Sequence, residues 1–140
     1  MVWFFAPRVL IEDLVYYSAG AFALWKGGRP ERLVAGVLLI ENTLSLFVQD
    51  MQHLETPRYA SLAMDFTVLL AILFVAFTTD LRWTILASSL QILSTLTFVA
   101  RIIDPSIHSF AYVTVDIAIS FALMGTAVCG AVQRMRGRSR

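Results

Sequence analysis

Long apolar runs, punctuated by proline and glycine, set the pattern of this chain. Five of them, at 9–25, 33–49, 59–79, 83–100 and 110–132, approach or exceed the ~20 apolar residues with which an α-helix crosses ~30 Å of hydrocarbon. The runs are continuous, not alternating, and rich in Leu, Ala, Ile and Phe, so they predict helices and not barrel strands. Pro7, Pro30, Pro57 and Pro105 each stand just before a run, where a missing N–H leaves no helical bond unmade. Thr56 and Asp104, and Thr79 and Asp80 ahead of the fourth run, are candidate N-caps. Gly27 and Gly28 suit the end of the first helix. Connections this short make successive helices antiparallel neighbours. The expected fold is all-α: one domain, an up-and-down bundle of about five transmembrane helices, followed by a basic tail at 133–140.

Composition strengthens that expectation. The chain is 58% hydrophobic with a mean hydropathy of +0.72, above the roughly 45–50% apolar content of a soluble domain. A net charge of +1 and the lack of a basic, aromatic-interleaved stripe argue against nucleic acid as a partner. The single cysteine, Cys129, allows no intrachain disulfide and reads as a packing residue in an apolar run. The opening segment, 1–8, has no basic stretch ahead of its apolar residues and no cleavage signal after them, so it reads as retained.

Positive charge supplies an orientation. Lys26, Arg29, Arg32, Arg82, Arg134, Arg136, Arg138 and Arg140 fall on the side of the C-terminus, against Arg8, Arg58 and Arg101 on the other. Cytoplasmic loops retain Lys and Arg, which sets the N-terminus outside and the C-terminus in the cytoplasm. Trp25 and Trp83 at one boundary, and Tyr59 and Tyr112 at the other, would anchor the interfaces. The tail of Arg134, Arg136, Arg138 and Arg140 acts first as a topology signal. It also suits anionic headgroups, at about 1 kcal/mol per charge.

Acids inside the apolar runs carry the candidate chemistry: Glu12 and Asp13 in the first, Glu41 in the second, Asp65 in the third, Asp116 in the fifth. An ionised side chain at mid-membrane costs at least ~2.5 kcal/mol, so such acids face the bundle interior, carry a proton or find partners. Helical spacing groups Glu41 with Ser45 and Gln49, Asp116 with Tyr112 and Ser120, Asp65 with Ser61, and Glu12 with Tyr16. The fourth run lines up Thr84, Ser88, Gln91 and Thr95 on one face. Three readings follow: a hydrogen-bonded network fixing helix register, a cation or proton pathway centred on Glu41, or pairing with basic residues of a partner subunit.

Aligning the first hairpin with the second sets Asp13 on Asp65, Arg32 on Arg82, Glu41 on Gln91 and Ser45 on Thr95. Two helix-hairpin repeats plus one helix is the arrangement this suggests. Small residues four apart, Ala19 with Ala23 and Ala127 with Ala131, suit close helix contacts within the bundle or between two copies. Motifs for zinc hydrolysis, nucleotide binding and nucleophilic catalysis are absent, so neither an enzyme nor a cofactor is expected. His53 and His108, with loop acids, form the weakest candidate, a metal site.

Asp80, Arg82 and Trp83, then Gln91, then Asp104 and Pro105, then Ala111 and Tyr112 form a spaced pattern over about 40 residues. In this the second half resembles a group of short, uncharacterised multi-span proteins of bacterial inner membranes, departing from them at Ile92. The resemblance implies an inner-membrane location and no activity. The expected function is a non-enzymatic scaffold or accessory subunit whose partners are the lipid bilayer and another membrane subunit or a second copy. The alternative is a small cation- or proton-conducting protein centred on Glu41.

Overall fold

A computed structural model describes residues 7–50, 57–104, 106 and 109–138. His53, Thr56, Pro105, His108 and Arg140 lie outside the described residues. The described chain forms five helices: α1 Pro7–Lys26, α2 Arg29–Asp50, α3 Pro57–Thr78, α4 Arg82–Ile103 and α5 Ser109–Arg138. No described residue is in a strand.

Each helix packs on its neighbour in sequence, and α5 returns to α1, closing a ring; α5 also presses on α2 across it. In the first hairpin Tyr17 donates to Thr43 Oγ1 at 2.9 Å, since the Thr43 hydroxyl proton is already given to the Leu39 carbonyl at 2.8 Å. Gly20 sits against Leu39 one turn further along, so the two helices run antiparallel. This register sets Glu41 level with Ala19, about 9 Å along the axis from Asp13. The second hairpin is cross-linked instead by Asp65 and Gln91. The pair that meets across α1 and α2 is thus Tyr17 with Thr43, and across α3 and α4 Asp65 with Gln91.

Among the described residues three helices are long and apolar enough to cross a membrane, over Tyr59–Thr78, Arg82–Ile103 and Ala111–Gly137, against the expected five. Each of the other two holds several charges: Arg8, Glu12, Asp13 and Lys26 in α1, and Arg29, Glu31, Arg32, Glu41 and Asp50 in α2. Each charge subtracts several residues' worth of apolar transfer energy.

The punctuation also differs in places. Pro7 and Pro57 open their helices and Pro30 is second in α2. Leu81, not Thr79 or Asp80, is the N-cap of α4, with no side-chain cap bond. Thr79 instead returns its hydroxyl to the Val75 carbonyl at 2.7 Å, closing α3. Asp104 ends α4 and accepts from the Ser106 N–H at 3.0 Å and hydroxyl at 2.5 Å, which hold its carboxyl below the usual aspartate range. No described glycine has positive φ. Gly27 and Gly28 therefore end α1 by allowing close approach: a Cβ on Gly27 would strike the Ala23 carbonyl, and one on Gly28 the Arg134 guanidinium.

The core has an inverted polarity. Val34, Leu38, Ile72 and Met124 fill it beside fully buried Ala23, Ala87, Ala127 and Ala131. Thr84, Ser88, Gln91 and Thr95 are buried with them. Meanwhile Phe66, Leu70, Phe74 and Phe77 project outward from α3, and Ile85, Leu86, Leu93 and Leu96 from α4. Gln91 is 1% exposed and Phe77 87% exposed. Such an exterior is costly in water at about 25 cal/mol per Å² and costs nothing in hydrocarbon.

Candidate functional site: a buried polar layer

The site is assembled from α4 outward. Positions 84, 88, 91 and 95 follow the 3–4 spacing of one helix face, and that face points inward. Ser88 donates to the Thr84 carbonyl at 2.8 Å and Thr95 to the Gln91 carbonyl at 3.0 Å, so their hydroxyls are satisfied within the helix. Gln91 reaches across to α3. Its Nε2 donates to Asp65 Oδ1 at 2.8 Å, with a longer contact of 3.4 Å to the Asp65 carbonyl. Thr95 also lies within hydrogen-bonding reach of the Asp65 side chain. Asp65 Oδ2 and Gln91 Oε1 are buried with no partner in the structure.

Two further acids join this pair. Asp116 of α5 is half-buried and meets the Ser94 hydroxyl of α4. Glu41 of α2 is half-buried and lies within electrostatic range of both Asp65 and Asp116. Tyr16 of α1, 6% exposed, closes the group, near Glu41 and Asp116 and edge-on to Phe121 with ring centres 5.8 Å apart. Four helices thus contribute one titratable group each to a single layer. Arg101 stacks over the Tyr112 ring at 4.4 Å.

Glu41 also opens outward. It lines a groove of about 350 Å³ between α2 and α3 whose other walls include Val37, Ile40, Leu44, Met64 and Val68. Thr67 lines the same groove, its hydroxyl returned to the Ala63 carbonyl at 2.8 Å. Among the described residues Glu41 is thus the one ionisable side chain of a mostly apolar, outward-facing slot.

The sequence-predicted residues divide accordingly. Asp65, Gln91, Thr95, Asp116 and Glu41 come together, and Ser88 lies one turn from Gln91 on the same buried face. Ser45 is half-buried one turn beyond Glu41. Glu12 and Asp13 are half-buried near the start of α1, a turn before Tyr16. Among the described residues no group of three or more His, Cys, Asp and Glu is placed to hold a metal ion. His53 and His108 fall outside them. At the far end of the bundle Arg134 is half-exposed beside Glu31, Arg136 is exposed and Arg138 closes α5.

Two participants escaped the sequence reading. Tyr16 was paired only with Glu12, and nothing along the chain reports that it turns toward α5. Glu31 stands between the first two apolar runs of the sequence. It is a buried helix residue whose carboxylate accepts the Gly28 N–H at 2.8 Å, and its spacing three residues after Gly28 is the capping signature that could have found it. No protein-family model, curated protein or solved structure matches this chain.

Proposed function

We propose that this chain is a non-enzymatic protein of a bacterial inner membrane, an accessory or scaffold subunit that docks a partner transmembrane helix in the α2–α3 groove. All five helices cross the bilayer in this reading, with the C-terminus cytoplasmic. The observation that carries it is Glu41: an acid held in a mostly apolar slot on the outer surface of the bundle. A carboxyl at that level is stabilised by a Lys, Arg or amide on an incoming helix, while the slot walls supply packing. The α2 acids fit this placement, because Glu41 faces Asp65 and Asp116 and Glu31 is buried at the helix end.

Site-specific photocrosslinking in membranes tests the proposal. A crosslinker at Leu44, beside Glu41, is expected to trap one defined partner, whereas one at Leu86, on an outward face of α4, traps none. Purified partner and protein should then recombine in liposomes, and Glu41→Leu should weaken that association about tenfold or more, in line with 1–2 kcal/mol for a polar contact in a bilayer. A second reading is favoured by the convergence of Glu41, Asp65 and Asp116 from three helices, with no cation among them in the described residues. Ion or proton flux through proteoliposomes of this chain alone, abolished by Glu41→Gln, would replace the docking reading with conduction.

A further inference from the structure

The opposite end of the bundle holds a cavity of about 580 Å³ where the end of α1, the start of α2 and the end of α5 meet. Lys26, Arg29, Arg32 and Arg134 line it, over a floor of Gly27 and Gly28. Its cations are held mainly by neutral groups. Arg32 donates to the Trp25 carbonyl at 3.4 Å, and the Lys26 ammonium lies 4.1 Å from the centre of the Trp25 ring. Arg134 Nη1 faces the Glu31 carboxylate at 3.8 Å. That carboxylate is 3% exposed and committed to the Gly28 N–H, so it orients Arg134 without closing the cavity. Four cations thus stand against one buried acid. The missing Cβ of Gly28 lets the guanidinium lie against the backbone.

We propose that this cavity binds a phosphate-bearing anion, either the phosphodiester of an anionic lipid headgroup or free phosphate. Guanidinium groups match phosphate oxygens in a forked geometry, and an ammonium adds a point charge. A basic pocket between helices at a membrane surface is placed to take a headgroup from the adjoining leaflet. The lipid source rests on the bilayer reading above; recognition of the phosphate does not.

Calorimetric titration of the full-length protein in neutral detergent separates the cases. Three probes are compared: dihexanoyl phosphatidylglycerol, dihexanoyl phosphatidylcholine and sodium phosphate. Saturable binding of the phosphatidylglycerol alone identifies a lipid headgroup, and comparable binding of sodium phosphate identifies free phosphate. The double variant Arg29→Gln, Arg32→Gln removes two charges from exposed positions and should bind roughly 30-fold more weakly, at about one order of magnitude per 1.4 kcal/mol. Arg29→Lys with Arg32→Lys keeps both charges and should stay within a few-fold of the original. A charge-matched double variant at the opposite end of the bundle, Arg8→Gln with Arg58→Gln in the first turns of α1 and α3, should bind like the unmodified protein. The proposal is overturned by equal binding of the phosphatidylcholine, by undiminished binding in the Arg29/Arg32 glutamine variant, or by equal loss in the charge-matched one. Failure of the bilayer reading shows separately, as release of the protein from membranes by alkaline carbonate.

Discussion

Gln91 and Asp65 are the residues on which the interior depends most directly. One amide hydrogen bond of 2.8 Å ties α3 to α4, and the unpartnered Asp65 Oδ2 and Gln91 Oε1 remain enclosed around it. Removing one member leaves the other buried and unsatisfied, which costs more than the bond itself is worth. Gln91→Leu is therefore expected to destabilise the bundle by about 1–2 kcal/mol, whereas Asp65→Asn, which keeps a carbonyl oxygen facing the amide, should cost less. A double-mutant cycle with Asp65→Leu, read from reversible unfolding in mixed micelles, should return a coupling of about 0.6–1.7 kcal/mol. Zero coupling would show that the bond does not set helix register. The polar face of α4 was legible in the sequence because 84, 88, 91 and 95 follow helical spacing. The partner of Gln91 was not, because it depends on how α3 is rotated about its axis, and α3 is apolar over most of its length.

Among the elements, α5 shows how finely a helix can be specified. Gly125 and Gly130 lie five residues apart on it, yet an added Cβ meets nothing within 4 Å at Gly125 and the Trp83 ring at 2.7 Å at Gly130. The ring of Trp83 is 6% exposed and the Glu31 side chain stands 3.1 Å from the same point, so neither neighbour has free space to retreat. Gly130→Ala should thus separate α5 from α4 and α2 at a cost of about 1–3 kcal/mol. Gly125→Ala should be neutral or stabilising by up to about 1 kcal/mol through the helix-interior penalty it removes. Thermal unfolding of the two variants side by side checks this, and an equal response would mean that α5 does not pack here as described. The five helices themselves were legible, because continuous apolar runs and prolines mark them. Their ends were less so. Local polar residues suggested caps at Thr79, Asp80 and Asp104, but the first and last of these serve the ends of the preceding helices. Ala23, Ala127 and Ala131 were open to either an internal or an intermolecular contact, and full burial places them inside one bundle.

At the scale of the whole molecule, polarity inverts from centre to surface and also changes from end to end. Phenylalanines and leucines cover the outside of α3 and α4, a titratable layer lies within, and four cations crowd the α1–α2 turn beside the end of α5. Among the described residues three helices have the length and hydropathy of membrane spans. Whether α1 and α2 cross with them turns on packing. From Tyr16 against Phe121 to Gly28 against Arg134, α1 runs parallel to α5. Its 20 residues extend about 30 Å, the thickness of the hydrocarbon. If α5 spans, α1 is carried across beside it, its charges toward the ends or the interior. This five-span proposal has a direct consequence for labelling by a membrane-impermeant maleimide. In a Cys129→Ser background, single cysteines replace Arg8 in the first turn of α1, Lys26 at its end, Ser106 after α4 and Gly137 near the end of α5. Intact spheroplasts should label Arg8→Cys and Ser106→Cys, and inverted vesicles Lys26→Cys and Gly137→Cys. Labelling of positions 8 and 26 from one face, with 106 and 137 still on opposite faces, would leave α5 as a span and remove α1 from the membrane. Because Lys26 belongs to the basic cavity and the cavity includes Arg134, positions 26 and 137 must in every case label together. Their separation would contradict the packing of α1 on α5, not merely the orientation.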